Sequence, residues 1–168
     1  MTTEPRWLTA QEEHLWRSWN QLNAELSARL QRQMVSGAGL SMSDYEVLVH
    51  LTDSPEGRVR VSDLARLLQW ERSRVSHHLT RMAGRGLVER SECAEDGRGA
   101  FIAVTAAGRT AIEQAAPGHA AAVRRLVFDA LDDDEVAALS ASLDAMLERL
   151  EELPDNAAPV GLTRTTGP

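Results

Sequence analysis

Within ten residues the chain carries Arg72, Ser73, Arg74, Ser76, His77, Thr80 and Arg81, a concentration of hydroxyl, imidazole and guanidinium groups. If this segment is a helix, Val75, Leu79 and Met82 fall on one stripe. Ser73, Ser76, His77, Thr80 and Gly84 then fall opposite it, flanked by Arg74 and Arg81. Groups of this kind on one helical face can hydrogen-bond to base edges and phosphates in a major groove. The same face would also suit plain solvation, and the residues C-terminal to it decide between the two. Glu95-Asp96-Gly97-Arg98-Gly99 has hairpin-turn chemistry and lies between candidate strands at residues 87–92 and 101–104. An arginine near such a tip can enter a narrow minor groove, where negative potential is concentrated. Asp96, two residues from Arg98, suits a partner that orients the guanidinium better than a catalytic acid.

The elements that must position these groups can be read on either side. Ser62 is an expected N-cap for a short helix through Leu68, Gln69-Trp70 makes a turn, and Glu71 caps the helix that bears the basic face. Gly86 is placed to end it. Two short helices followed by a hairpin are the layout of a winged helix-turn-helix. Upstream, Thr9 and Glu12 form a capping box for a long helix to about Val35, with Leu15, Trp19, Leu22, Leu26 and Leu30 as a buried seam. Ser36-Gly37-Ala38-Gly39 should break it, and Ser43 should cap a second helix through Leu51. Residues 53–57 read as a loop, and residues 58–61 can add a short strand to the wing.

Downstream, Thr105 caps a helix with Ile112, Val123, Leu126 and Val127 on its core face, and Pro117-Gly118 should kink or interrupt it. Asp132 and Glu135 repeat the capping box before a last helix carrying Val136, Leu139, Leu143, Met146, Leu147 and Leu150. The outer helices are too apolar to stand alone, so they are expected to pack against a second copy of the chain. The expected fold is mainly α with a small β-wing: a winged helix-turn-helix plus a helical dimerisation region formed by the N- and C-terminal helices. Residues 1–153 form one domain, with dimerisation helices at about 9–35 and 105–153 and a DNA-binding lobe at about 41–104. Residues 154–168, rich in Pro, Gly, Ala and Thr, read as a flexible tail.

At this level the chain resembles the MarR family of bacterial transcriptional regulators. The matching pieces are the run from Leu40-Ser41-Met42-Ser43-Asp44-Tyr45 to Leu48, Leu64-Ala65, Arg72-Ser73-Arg74-Val75-Ser76 and Arg85-Gly86-Leu87-Val88. Asp96-Gly97-Arg98, leading to Val104-Thr105-Ala106-Ala107-Gly108-Arg109, completes the set in family order over about residues 10–150. The resemblance implies a homodimer on a pseudo-palindromic operator, with residues 72–81 in the major groove and Arg98 in the minor groove. It also implies that a small anionic or phenolic effector can release the DNA.

Composition narrows the alternatives. A chain of 168 residues with 43% hydrophobic content can bury a core. It shows neither a membrane-length apolar run nor a signal-peptide pattern, which points to the cytoplasm. The net charge of −7 looks wrong for a DNA partner until it is divided by region. Residues 58–98 hold nine Arg against six acids, about +3 locally. No phosphate-binding glycine loop, His-Glu-x-x-His run or nucleophile elbow occurs, so the chain reads as a non-enzyme with no cofactor. His14, His50, His77, His78 and His119 are scattered, and no metal site is expected from them. Cys93 is the only cysteine; it excludes an intrachain disulfide, and thiol sensing through it is not expected.

Trp7, Trp16 and Trp19 cluster at the amino terminus, with Tyr45 and Trp70 close to the expected junction of dimerisation helices and DNA-binding lobe. Of these, Trp16, Trp19, Tyr45 and Trp70 could line an effector pocket or serve as core and interface. The reading is therefore a sequence-specific transcriptional regulator, a repressor, that binds double-stranded DNA as a homodimer. The alternative from another class is a winged-helix protein-interaction module without specific DNA readout, which the basic helix face and Arg98 argue against.

Overall fold

The computed structural model describes residues 7–92 and 100–153. The chain divides into two compact units, one of residues 24–124 and one drawn from the terminal segments, up to residue 23 and from residue 125. The inner unit takes in the second part of α1 (Ala10–Ala38), then α2 (Met42–Asp53), β1 (Arg58–Arg60), α3 (Val61–Leu67), α4 (Arg72–Gly84), β2 (Val88–Glu92), β3 (Ala100–Val104) and most of α5 (Ala106–Leu126). The strands form one antiparallel sheet in the order β1-β3-β2. Ile102, paired with Val59 on one side and Arg90 on the other, is the buried residue at its centre. Met34, Val47, Leu48, Leu51, Leu64, Val75 and Met82 complete a continuous apolar core. The architecture is a winged helix-turn-helix, mainly helical with a small sheet.

Several helix ends differ from expectation, each for a local reason. α1 runs on through Ser36 and Gly37 to Ala38. A helical Gly costs only about 1 kcal/mol relative to Ala, and the buried Met34 anchors that last stretch. Gly39, at φ 65°, ends it. Ser41, not Ser43, caps α2: its Oγ accepts from Asp44 N at 3.0 Å, while Ser41 N donates to Asp44 Oδ2 at 2.8 Å. An Asp closes this box, outside the usual Glu or Gln pattern. Ser62 does not cap α3, because the chain passes straight from β1 into the helix with Arg60 at the N-cap. Glu71 does hold the N-cap position of α4, but its side chain makes no capping hydrogen bond. Pro117 does not interrupt α5, whose alanine-rich sequence sustains the helix across one missing N–H donor.

The wing's return is tied to the lobe. Thr105 Oγ1 donates to Gly86 O at 2.6 Å and accepts from Gly108 N at 3.0 Å, capping α5 as expected. Gly86, at φ 73°, reverses the chain between α4 and β2.

The terminal unit holds the start of α1, a 3-10 turn at Phe128–Ala130 and α6 (Asp133–Glu152). Both expected capping boxes are present: Thr9 with Glu12 at 2.7 and 3.2 Å, and Asp132 with Glu135 at 3.0 and 2.8 Å. The expected buried seam on α1 is not buried within one chain. Leu15, Trp19 and Leu22 are exposed, and only Leu26 and Leu30 are half-buried. On α6, Leu139, Met146, Leu147 and Leu150 are exposed as well. Among the described residues, no helix is long and apolar enough to cross a membrane.

Candidate nucleic-acid interface

The core fixes how α4 is presented. Val75, Leu79 and Met82 are buried beneath it, and Arg72, Ser73, Arg74, His77, Thr80 and Arg81 are exposed on its other sides. Ser76 is half-buried, and its carbonyl accepts from Thr80 Oγ1 at 2.9 Å, which occupies that hydroxyl's proton and leaves its lone pairs as acceptors. The Arg74 guanidinium lies over the Trp70 ring, 4.0 Å from its centroid. Stacking of this kind holds an arginine in one pose while leaving its donors free. Beside the start of α4, an open hollow of about 510 Å³ is lined by Ser62, Asp63, Arg66, Gln69, Glu71 and Arg72, with Trp70 and Ala65.

Beneath the face lies a charged network that the sequence does not announce. Asp44, 2% exposed, receives Arg85 Nη1 on Oδ2 at 2.7 Å, and Arg85 Nη2 donates to Gly39 O at 3.1 Å. His78, 7% exposed, has Nε2 3.1 Å from Asp44 Oδ1, close but off the line of a hydrogen bond, and Nδ1 3.0 Å from Arg81 Nη2. Its ring stands perpendicular to Trp70 at 5.4 Å. Burial alone would raise the Asp44 pKa, but hydrogen bonds from Arg85 and Ser41, with the Arg85 charge, hold it below 3.8. Burial lowers the His78 pKa, and Arg81, Arg74 and Arg85 add to that against the opposing pull of Asp44. The imidazole is therefore neutral at pH 7. One signal for His78 was available: it lies three residues after Val75 and four before Met82, on the apolar side of the helix.

The remaining candidate residues fall in separate places. Tyr45 packs on His119, ring centroids 4.7 Å apart, and Trp70 packs against His78 and Arg74, so these two rings have different neighbours. Trp16 and Trp19 stand on α1 in the terminal unit, 58% and 36% exposed. Asp96, Arg98 and Cys93, like the tail at residues 154–168, lie outside the described residues. On the wing sheet, Arg58 and Arg60 both lie over the Phe101 ring, at 4.9 and 5.0 Å.

Comparisons with known proteins agree with this geometry. Residues 38–99 match the model of the MarR family. AbsC, a MarR family transcriptional regulator from Streptomyces coelicolor, is 38% identical, with 89% of this chain and all of that one covered at a TM-score of 0.81. Sco3205 from the same organism, solved in complex with DNA, is 37% identical over 92% of this chain and 96% of its own, at a TM-score of 0.83. The HTH-type transcriptional repressor YetL of Bacillus subtilis (strain 168) is 28% identical over 120 residues, 71% of each chain. The chain thus belongs to the MarR family of transcriptional regulators.

Proposed function

We propose that this regulator is a repressor that reads a pseudo-palindromic operator as a homodimer. The observation that carries the reading is the division of α4 into a buried apolar stripe and a face exposing Arg72, Ser73, Arg74, His77, Thr80 and Arg81. Such a helix has its register fixed by the core, so its polar side chains meet a groove in one orientation. Arg74 and Arg81 suit guanine edges or phosphates, Ser73, Ser76 and Thr80 suit either, and His77 adds a further polar contact. Arg98, with Asp96 beside it, would enter the adjacent minor groove. Similarity to Sco3205, whose structure was solved with DNA, supports the nucleic-acid partner, and similarity to the named repressor YetL supports the direction of control.

Exposed leucines and tryptophans on α1 and α6 support a homodimer, since pairing with a second copy would remove them from water. Dimerisation would set the distance between two α4 helices at about one turn of DNA. A small anionic or phenolic effector that preferred another spacing, held near Trp16, Trp19, Tyr45 or Trp70, would draw the population off the operator. The setting for this function is the cytoplasm, where the DNA is.

A gel shift against the intergenic DNA beside the protein's own gene tests the reading, with an unrelated duplex of equal length as competitor. The expected result is a complex of two chains per site that survives the competitor. Equal affinity for both duplexes, or no shift at all, overturns sequence-specific reading in favour of a protein-interaction module.

A further inference from the structure

We propose that His78 is a positioning residue for DNA reading: from inside the lobe it holds Arg81 through Nδ1 and braces Trp70 beneath Arg74, so that both guanidinium groups are set before a duplex arrives. The inference rests on the proposal that the α4 face meets DNA.

The chemistry of the contacts fixes the state of the ring. A guanidinium has only donors, so the His78 Nδ1 that lies 3.0 Å from Arg81 Nη2 must be the acceptor. The ring proton then sits on Nε2, facing the Asp44 carboxylate at 3.1 Å. The charged groups around the ring are Asp44 from α2 and Arg74, Arg81 and Arg85 from α4 and its C-cap, with the uncharged Trp70 packed from the turn. Asp44 in turn binds Arg85 and the Ser41 cap, so the far side of the imidazole faces a carboxylate that is itself fixed at the start of α2. Protonation or loss of Nδ1 would leave Arg81 without its acceptor. An unanchored arginine must be ordered when DNA binds, and that ordering weakens the complex. Arg81 spends one N–H on His78 and keeps the others for a phosphate or base.

The test starts from the duplex that the wild-type protein selects from a randomised pool, with affinity measured against it by fluorescence anisotropy. Arg81→Ala should weaken binding about tenfold in the wild-type background and about twofold or less in a His78→Leu background, because without the Nδ1 acceptor Arg81 is no longer held for DNA. The bracing of Trp70 is a separate contribution that Arg81→Ala leaves in place. His78→Asn, whose side-chain oxygen can stand where Nδ1 stands, should bind within about twofold of wild type. The ¹⁵N spectrum should show His78 with bare Nδ1 and protonated Nε2, and Arg81→Ala should shift the Nδ1 signal. A purely structural role would lower the melting temperature of His78→Leu and leave the Arg81→Ala loss unchanged.

Additive losses for His78→Leu and Arg81→Ala, or a protonated Nδ1 at pH 7, overturn the proposal and leave the DNA-reading role of α4 intact. Should His78→Leu fail to fold, His78→Asn decides: a folded variant that loses about tenfold affinity overturns the proposal. If Arg74→Ala and Arg81→Ala both bind the selected duplex as wild type does, the α4 reading itself fails and this inference fails with it.

Discussion

The two units of the chain bury their apolar residues to very different degrees. Residues 24–124 enclose Met34, Leu48, Leu51, Leu64 and Met82 completely. α6, by contrast, has no buried residue, and it exposes Met146, Leu147 and Leu150 although it is capped and regular. Sound local geometry with an uncovered apolar stripe is what an element looks like when its stability comes from something outside one chain. The inner unit thus closes its own core beneath α4, and the terminal segments leave apolar residues uncovered within one chain. That difference can be broken from either side.

The largest effect is expected at the terminal segments. Leu22 is 55% exposed and Leu147 59% exposed, so Leu22→Glu with Leu147→Glu costs little within one chain. In a homodimer that buries them, the same charges are desolvated. The double variant should sediment as a monomer and lose about a thousandfold in operator affinity, since one half-site must then hold the protein alone. A dimer with unchanged affinity would show that these stripes are not the interface.

The inner unit should fail differently, through its own packing. A Cβ on Gly108 would stand 2.0 Å from Leu87 O, and that carbonyl already accepts from Thr105 N at 3.2 Å. Gly108→Ala must therefore push the start of α5 off the end of the α4–β2 turn, at a cost of about 3 kcal/mol. Urea unfolding checks the value, and dimerisation of the folded fraction should be untouched.

What the sequence shows and hides follows a different line, the separation of the interacting residues along the chain. Periodicity, with Glu71 and Gly86 marking the ends, located α4 and its buried stripe, because a helix with one apolar side has a repeat that does not depend on its partners. The capping boxes at Thr9 and Asp132 were legible for the same reason: both partners lie within four residues. The Asp44–His78–Arg85 network was not. Asp44 and Arg85 are 41 residues apart, and only the packing of α2 against α4 turns two ordinary surface residue types into an ion pair with a buried carboxylate. The terminal seam was legible both as apolar and as too apolar for one chain to cover, and Leu15, Leu22, Leu147 and Leu150 are indeed exposed; what a leucine repeat does not say is which molecule buries it.

Asp44→Asn comes next in size. It removes the charge that Arg85 and the Ser41 cap both address, and leaves Arg85 without its counter-ion, for a loss of about 2 kcal/mol at pH 7. The sign of the pH dependence comes from the directions of the shifts. Asp44 is held below 3.8 in the folded state, so its contribution is present above pH 3.8 and is lost as pH falls through the lowered folded value. His78 and His119 are held below 6.5 by burial, so theirs is present above pH 6.5 and fades as pH falls below it toward their folded values. Unfolding free energy should therefore decline in two stages on acidification, first below pH 6.5 and again below pH 3.8. Asp44→Asn should remove the second stage, and a denaturant titration at stepped pH will show whether it does.

The smallest effect is expected at Gln69, the one described non-glycine residue with a positive φ, at 54°. It sits in the turn between α3 and α4, where Gln69 N donates to Arg66 O at 3.1 Å and Trp70 N to Ala65 O at 2.9 Å. Those bonds require the left-handed backbone, which costs a residue with a Cβ about 1 kcal/mol. Gln69→Gly relieves that strain but frees the unfolded chain by about 0.4–1 kcal/mol, so its net gain is close to zero. Gln69→Ala keeps the Cβ and the strain. The informative quantity is the difference between the two variants: the glycine form should be the more stable by a few tenths of a kcal/mol, read as a small upward shift in melting temperature. Because Trp70 is the next residue and carries Arg74 on its face, the same pair tests whether the turn sets that stack. Equal operator affinity for the two variants is expected, since both keep the turn's hydrogen bonds, and a loss confined to the glycine form would mean that the rigid backbone at Gln69 helps to hold Arg74 in place.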